Sequence, residues 1–204
     1  MIIGIHRHHE GSRGSSTALS EANDERLKIF LAQKKKERKL TCHFCGFESV
    51  RYQRSIDLNC GVGDFEPVVV CPFCYYSQRL EMVVERDAGF LIKLPQLSQA
   101  QLNMIIHSVY ARSIIEDDNK LQLYDTLLIK LKKHRWDMHS VGPGADSAEV
   151  TAVSLSALSD EEYKNRGVAL SSVRFWPDAE KMKEEFDYWR NSLYPKINML
   201  LPKI

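Results

Sequence analysis

Four of the five cysteines in this 204-residue chain form two matched pairs, Cys42 with Cys45 in "LTCHFCGF" and Cys71 with Cys74 in "VCPFCYY". A C-x2-C step lets the backbone curl so that two sulfurs face one cation. Twenty-five residues, 46 to 70, separate the inner cysteines, enough for two strands and a broad turn. Two knuckles joined in this way close a tetrahedral shell of thiolates, with sulfur about 2.3 Å from zinc. Cys42, Cys45, Cys71 and Cys74 are therefore the expected ligands of a structural Zn2+. Redox thiols and an iron centre are the competing uses of the same residues. Four thiolates leave no open coordination position, so an ion held this way shapes the chain and is no Lewis acid. Gly46 relaxes the first knuckle and Pro72 presets the second. His43 is expected to point away from the metal, and Cys60 reads as a plain loop residue.

Catalysis beside such a shell needs a positioned base. In HNH-type nucleases a histidine on the strand between the knuckles activates water. Here residues 46–70 contain no histidine, and Asp57, where an acid–histidine step would fall, is followed by Leu58. No G-x-S-x-G, P-loop or H-E-x-x-H pattern is present. His107, His134 and His139 are scattered over helical territory and are expected on helix surfaces or in the core. No enzyme is expected.

The elements that must position the cysteines read as an α+β fold: a small zinc-binding hairpin module, treble-clef/HNH-like or ribbon-like, packed with a helical C-terminal region. Residues 1–19 read as disordered, being rich in Gly, Ser, His and Arg, with His6, His8 and His9 in an untidy terminus. Residues 20–94 read as a helix, N-capped by Ser20 and running to Lys39, followed by the module. "VRYQRSIDLN" and "PVVVC" flank the turn "CGVGDFEP" as one hairpin. "RLEMVV" and "GFLIKL" around "ERDAG" suggest a second, although the first segment fits a helix as well. Residues 95–204 read as helical. Ser98 with Gln101 makes a capping box, and Leu97 and Leu102 make its staple. A helix from Asn119 to about Arg135 carries Leu121, Tyr124, Leu127, Leu128 and Leu131 on one face. Ser159 with Glu162 caps another helix. After the break "RFWPD", a last helix from Asp178 to Tyr194 puts Phe186, Trp189 and Leu193 on one side.

With 44% hydrophobic residues and a net charge of +1, the chain can build a core and has no overall bias toward polyanions. The charge is unevenly placed. Residues 26–54 carry nine Lys or Arg against Glu37 and Glu48, whereas residues 144–187 carry ten acidic against five basic side chains. Arg51, Arg54 and the lysine run keep a nucleic-acid-binding zinc protein as the alternative reading. No apolar run reaches the ~20 residues that span a bilayer, and no secretory h-region is visible. A cytoplasmic protein is expected.

The paired-cysteine module, then "GFLIKLPQLSQAQLN", then "RFWPDAEKMKEEFDYWRNSLYP", resembles the IcmJ/DotN proteins of bacterial Dot/Icm type IVB secretion systems over roughly residues 20 to 200. Gly89, Leu94, Pro95, Leu97, Ser98, Gln99, Leu102 and Asn103 carry its most specific part. The resemblance implies a non-enzymatic subunit of the coupling complex, peripheral at the cytoplasmic face of the inner membrane. It implies binding to the C-terminal extension of the DotL coupling ATPase, in a complex with DotM and the IcmS–IcmW pair that recruits effectors, without membrane insertion and with nucleic acid not expected as a partner. The metal ligands carry over to Cys42, Cys45, Cys71 and Cys74. Tyr75, Tyr76, Phe90, Trp176 and Trp189 are candidate aromatic anchors for a partner, with core packing as the competing role.

Overall fold

The computed structural model describes residues 3–5, 16–36, 40–59, 64–112 and 118–198. The first helix, α1 (Ser16–Lys34), starts five residues earlier than a Ser20 cap implies; Arg38 and Lys39 lie outside the described residues. Leu27 is buried on its inner face. The first knuckle lies between two short strands, β1 (Leu40–Thr41) and β2 (Glu48–Ser49), paired antiparallel. The expected hairpin forms from β3 (Arg54–Asp57) and β4 (Pro67–Val70), with Arg54 opposite Val70 and Asp57 opposite Pro67. Asp57 closes its loop: one carboxylate oxygen accepts from the backbone N–H of Asn59 (3.2 Å) and of Glu66 (3.0 Å). The hydroxyl of Ser55 donates to the Leu27 carbonyl at 2.9 Å, docking α1 on the hairpin.

Two helices follow β4 directly, α2 (Pro72–Gln78) and α3 (Leu80–Arg86). The second hairpin considered from the sequence does not form. "RLEMVV" is helical, with Leu80 and Val83 buried three residues apart on one face, and Asp87 ends the helix in the left-handed region at φ 51°. "GFLIKL" does become a strand, β5 (Gly89–Lys93), but its partner lies far along the chain. After α4 (Gln99–Arg112), α5 (Asp118–Lys133), a 3-10 turn at Trp136–Ser140, α6 (Ala148–Ser156) and α7 (Asp160–Ala169), the segment expected as a break forms strand β6 (Val173–Pro177). Every residue of β6 is buried. It pairs antiparallel with β5, Gly89 opposite Pro177 and Lys93 opposite Val173. Phe90, Leu91 and Ile92 are buried in succession, so this ribbon needs cover on both faces, and helices provide it. Pro177 sits at the strand end, where a missing N–H costs no ladder bond.

Both capping boxes form: the Ser98 hydroxyl accepts from Gln101 N and the Gln101 side chain accepts from Ser98 N, and Ser159 and Glu162 make the same exchange at α7. The last long helix, α8 (Lys183–Ser192), starts later than Asp178. The Asp178 carboxylate instead holds a turn, accepting from the N–H groups of Glu180 (2.9 Å) and Lys181 (3.3 Å). Phe186 and Trp189 are buried and Leu193 packs beside them, as their spacing implies; a short α9 (Tyr194–Asn198) closes the described chain. On α5, Leu128 and Leu131 pack inward and Leu127 is exposed; the side chains of Leu121 and Tyr124 lie outside the description.

One expectation fails at the start of the chain. Ile3 and Ile5, inside the stretch read as disordered, are 2% and 4% exposed. Gly4 N donates to the Ser77 carbonyl (3.0 Å), and Leu80 N donates to the Gly4 carbonyl (3.1 Å). The Tyr163 hydroxyl bonds both backbone groups of Ile5. Ile3 and Ile5 dock because the junction of α2 and α3 supplies backbone groups that match those of Gly4. His6, His8 and His9 lie outside the described residues, as does Cys60. Buried residues from the knuckles, the β5–β6 ribbon and the C-terminal helices form one continuous cluster. Among the described residues no helix is long and apolar enough to cross a membrane.

Candidate metal centre

The fold brings the four sulfurs of Cys42, Cys45, Cys71 and Cys74 to within 4.8 Å of one another. Cys45 and Cys71, from different knuckles, have sulfurs 3.6 Å apart. A disulfide needs about 2.05 Å, whereas a tetrahedron with metal–sulfur distances near 2.3 Å has edges of about 3.8 Å. The donor set thus fits one tetrahedral ion, and four thiolates suit zinc. Three of the sulfurs belong to buried residues and Cys45 is half-buried.

Each knuckle is built locally. In the first, Gly46 takes φ +74° and donates its N–H to the Cys42 carbonyl at 3.0 Å, while Cys42 N donates to the Phe47 carbonyl at 2.9 Å. The Gln53 amide, itself buried, donates to the carbonyls of both Leu40 and Phe47, which ties the knuckle to the hairpin. The second knuckle is the start of α2. Cys71 is its N-cap, in extended conformation, Pro72 follows as the first helical residue, and Cys74 lies in the first turn. The thiols are electrostatically coupled. Hydrogen bonds from Cys45, Cys71 and Cys74 hold Cys42 far below the usual thiol range. Burial pushes Cys71 well above it, and the bonds to Cys42 and Cys45 push Cys74 up. Four like charges this close cannot coexist unaided, and a divalent cation removes that conflict by deprotonating its ligands outright.

A second layer, formed from α4, was not legible as part of the site. Asn103, fully buried, donates from Nδ2 to the Cys74 sulfur at 3.1 Å. Its Oδ1 accepts from Gln99 Nε2 at 2.8 Å. Gln99 also clamps the Phe175 backbone in β6, donating to its carbonyl (2.9 Å) and accepting from its N–H (2.7 Å). A chain of polar groups therefore runs from β6 through α4 to a candidate metal ligand, Cys74. The available signal was two amides four residues apart on a helix face that also carries the buried Leu102 and Ile106. Groups of this kind orient ligands and tune affinity. Replacing Asn103 by Leu is expected to weaken metal binding roughly ten- to hundredfold, measured by competition against a calibrated chelator. Unchanged affinity would reduce Asn103 to a packing residue.

His107 is the histidine nearest the problem of catalysis, and its surroundings exclude it as a base. Its ring is stacked between Phe47 (3.6 Å) and Phe73 (4.5 Å), with Trp189 edge-on at 5.0 Å. Nδ1 lies 3.0 Å from the Tyr194 hydroxyl. Burial holds its pKa down to about 3, so it is neutral at pH 7 and sealed from water. His43 is exposed, packs edge-on against Phe44 and is absent from the sulfur cluster. Far along the chain, His134 shortly precedes the 3-10 turn Trp136–Ser140 and His139 lies within it. Of the aromatic anchors considered from sequence, Tyr76, Phe90, Trp176 and Trp189 are 7% exposed or less, hence core residues. Tyr75 is half-buried between the guanidinium groups of Arg54 and Arg79.

No protein-family model matches the chain. It is 25% identical over 186 residues to the type 4 apparatus protein DotN of Legionella pneumophila (strain Philadelphia 1), a match covering 85% of this chain and 84% of DotN. Along most of both sequences this chain is thus similar to the DotN/IcmJ proteins.

Proposed function

We propose that this protein is a zinc-stapled, non-enzymatic adaptor of a type IVB secretion coupling complex. In this reading it holds the C-terminal tail of a DotL-type coupling ATPase, beside DotM and the IcmS–IcmW pair, at the cytoplasmic face of the inner membrane, and supports effector recruitment. The observation that carries the reading is the near full-length similarity to the type 4 apparatus protein DotN. The geometry supports a scaffold role. Cys42, Cys45, Cys71 and Cys74 would hold Zn2+ with no position open to substrate, and the buried His107 supplies no base. A knuckle beside a hairpin followed by a knuckle at a helix N-terminus supports a treble-clef, HNH-like module in preference to a ribbon.

Pull-down of the ATPase tail by the purified full chain tests the reading. A stable complex that persists at raised salt, one zinc per chain by elemental analysis and intact plasmid after incubation with Mg2+ or Mn2+ are the expected results. Failure to retain the tail, together with a gel shift of DNA or RNA that fades steeply with salt, would transfer the protein to the nucleic-acid-binding alternative.

A further inference from the structure

Trp136 is 73% exposed, the most exposed of the large aromatic side chains in the described structure. It heads the 3-10 turn immediately after α5, whose last turn carries Lys130, Lys132 and Lys133. The indole forms a ridge between two depressions. One, of about 490 Å³, lies against Ile129, Lys132, Lys133 and Arg135. The other, of about 500 Å³, lies against Lys93, Pro95, Gln96 and His134. Ile129 is itself 55% exposed, so an apolar wall faces solvent beside the ring.

The charges around this ridge do not cancel. Arg135 is paired with Asp146 at 2.7 Å and lies over the Phe90 ring. His134 is held by Asp137 at 2.7 Å. Lys93 donates to the Ser140 hydroxyl. Among the described residues no carboxylate pairs with Lys93, Lys132 or Lys133. The two carboxylates beside the indole, Asp137 and Asp146, are thus paired with His134 and Arg135. Lys132 also lies over the Phe90 ring at 5.6 Å and borders a further depression with Asp87, Glu149 and Asp178, while Lys93 and Lys133 stay on the tryptophan side.

We infer that the Trp136 ridge is a docking surface for an extended acidic peptide segment of a partner protein, with an apolar side chain seated between Trp136 and Ile129 and carboxylates reaching Lys93, Lys132 and Lys133. Charge complementarity selects the occupant. Tryptophan in a partly enclosed setting is a typical binding anchor, and cations at its rim set orientation and association rate. Two hollows on either side of a ridge form a track suited to an extended chain. Nucleic acid is disfavoured because three lysines make a short phosphate track. A bilayer is disfavoured because the apolar groups flank concavities and make no continuous convex face. The inference deepens the adaptor reading and rests on it for the partner being a protein.

The test uses the full chain and acrylamide quenching of tryptophan fluorescence. Trp176 and Trp189 are 6% and 0% exposed, so quenching reports Trp136. Probes are the coupling-ATPase tail, short synthetic peptides of Asp, Glu and Leu, the same peptides with Lys in place of the acids, phosphatidylglycerol-containing vesicles and a single-stranded oligonucleotide. The acidic peptides and the tail are expected to shield Trp136. Trp136→Ala is expected to weaken tail binding roughly ten- to thirtyfold, the scale of a binding hot spot. Lys132→Glu with Lys133→Glu should weaken it several-fold and flatten its salt dependence. Val168→Ala, at a site 84% exposed elsewhere, should change nothing. A tail that binds these variants as tightly as wild type overturns the site and leaves the adaptor reading standing. A tail that never binds, with acidic peptides still shielding Trp136 in a lysine-dependent way, overturns the adaptor reading and supports the site. Equal shielding by the lysine peptides, or shielding by vesicles or oligonucleotide alone, overturns the site.

Discussion

If Cys42, Cys45, Cys71 and Cys74 hold Zn2+ as proposed, treating the purified protein with a strong chelator is expected to unfold the knuckle module together with the core joined to it. Structural zinc bound by four ligands contributes roughly 10–16 kcal/mol, which matches or exceeds the roughly 5–15 kcal/mol that holds a whole domain folded. The dependence is unusually direct here because the shell is not peripheral. Cys71 and Cys74 lie in the same buried cluster as Phe73, Leu102, Phe175 and Trp189. Losing the ion leaves thiols whose proton affinities conflict inside a closed core. Circular dichroism should lose its near-ultraviolet signal on chelation, and Cys71→Ser should behave like the stripped protein. A metal-free protein with an unchanged melting profile would show that the packing, and not the ion, sets the fold.

Gly89→Ala is expected to be the most damaging change available outside the cysteines. A Cβ built at Gly89 would meet the Trp176 carbonyl oxygen at 2.1 Å and the Phe175 ring at 2.8 and 2.9 Å. Neither neighbour is free to move, since both belong to β6, which is buried throughout and fastened to Gln99. Accommodating one methyl group means separating the ribbon at the Gly89–Pro177 pair. Overpacking of this kind costs about 3 kcal/mol or more, a fall of roughly 6–12 °C in melting temperature for a chain of this size. Gly46→Ala is the informative comparison. Gly46 has positive φ but open space around it, so only backbone strain opposes the change, about 1 kcal/mol. Two melting curves decide the matter. If Gly89→Ala melts no lower than Gly46→Ala, the β5–β6 register is wrong.

The site was legible in part because it is written in local spacing. A C-x2-C step and a capping box are decisions made over three or four residues, and both survived folding unchanged. The first hairpin was legible for a related reason: the partly alternating "VRYQRSIDLN" and the β-branched run "PVVVC" flank a turn marked by Gly, Asp and Pro. The failures share a different cause. "RLEMVV" satisfies both periods over so few residues that only its neighbours choose between them, and Leu80 and Val83 chose helix by facing the core together. "RFWPD" looks like a break because proline and arginine interrupt it, yet it is the strand that completes β5. No short-range signal connects Val173–Pro177 with Gly89–Lys93, since the pairing spans four intervening helices and is enforced by burial on both faces. The amide network of Gln99 and Asn103 stood in plain view as a polar pair on an apolar helix face, but its target, a cysteine sulfur, could be identified only once α4 had been laid against α2.

What the sequence determined alone was which four sulfurs come together: two cysteine pairs at a spacing that lets them close on one point, with no histidine in the stretch between the pairs. Tertiary structure decided what surrounds that set. It buried four of the five proposed aromatic anchors, sealed His107 inside a stack of rings and left Trp136 facing solvent among lysines that no carboxylate pairs among the described residues. The reason is that ligand geometry follows from the number of bonds between neighbouring residues, whereas exposure depends on which distant surfaces meet, and no local rule encodes that.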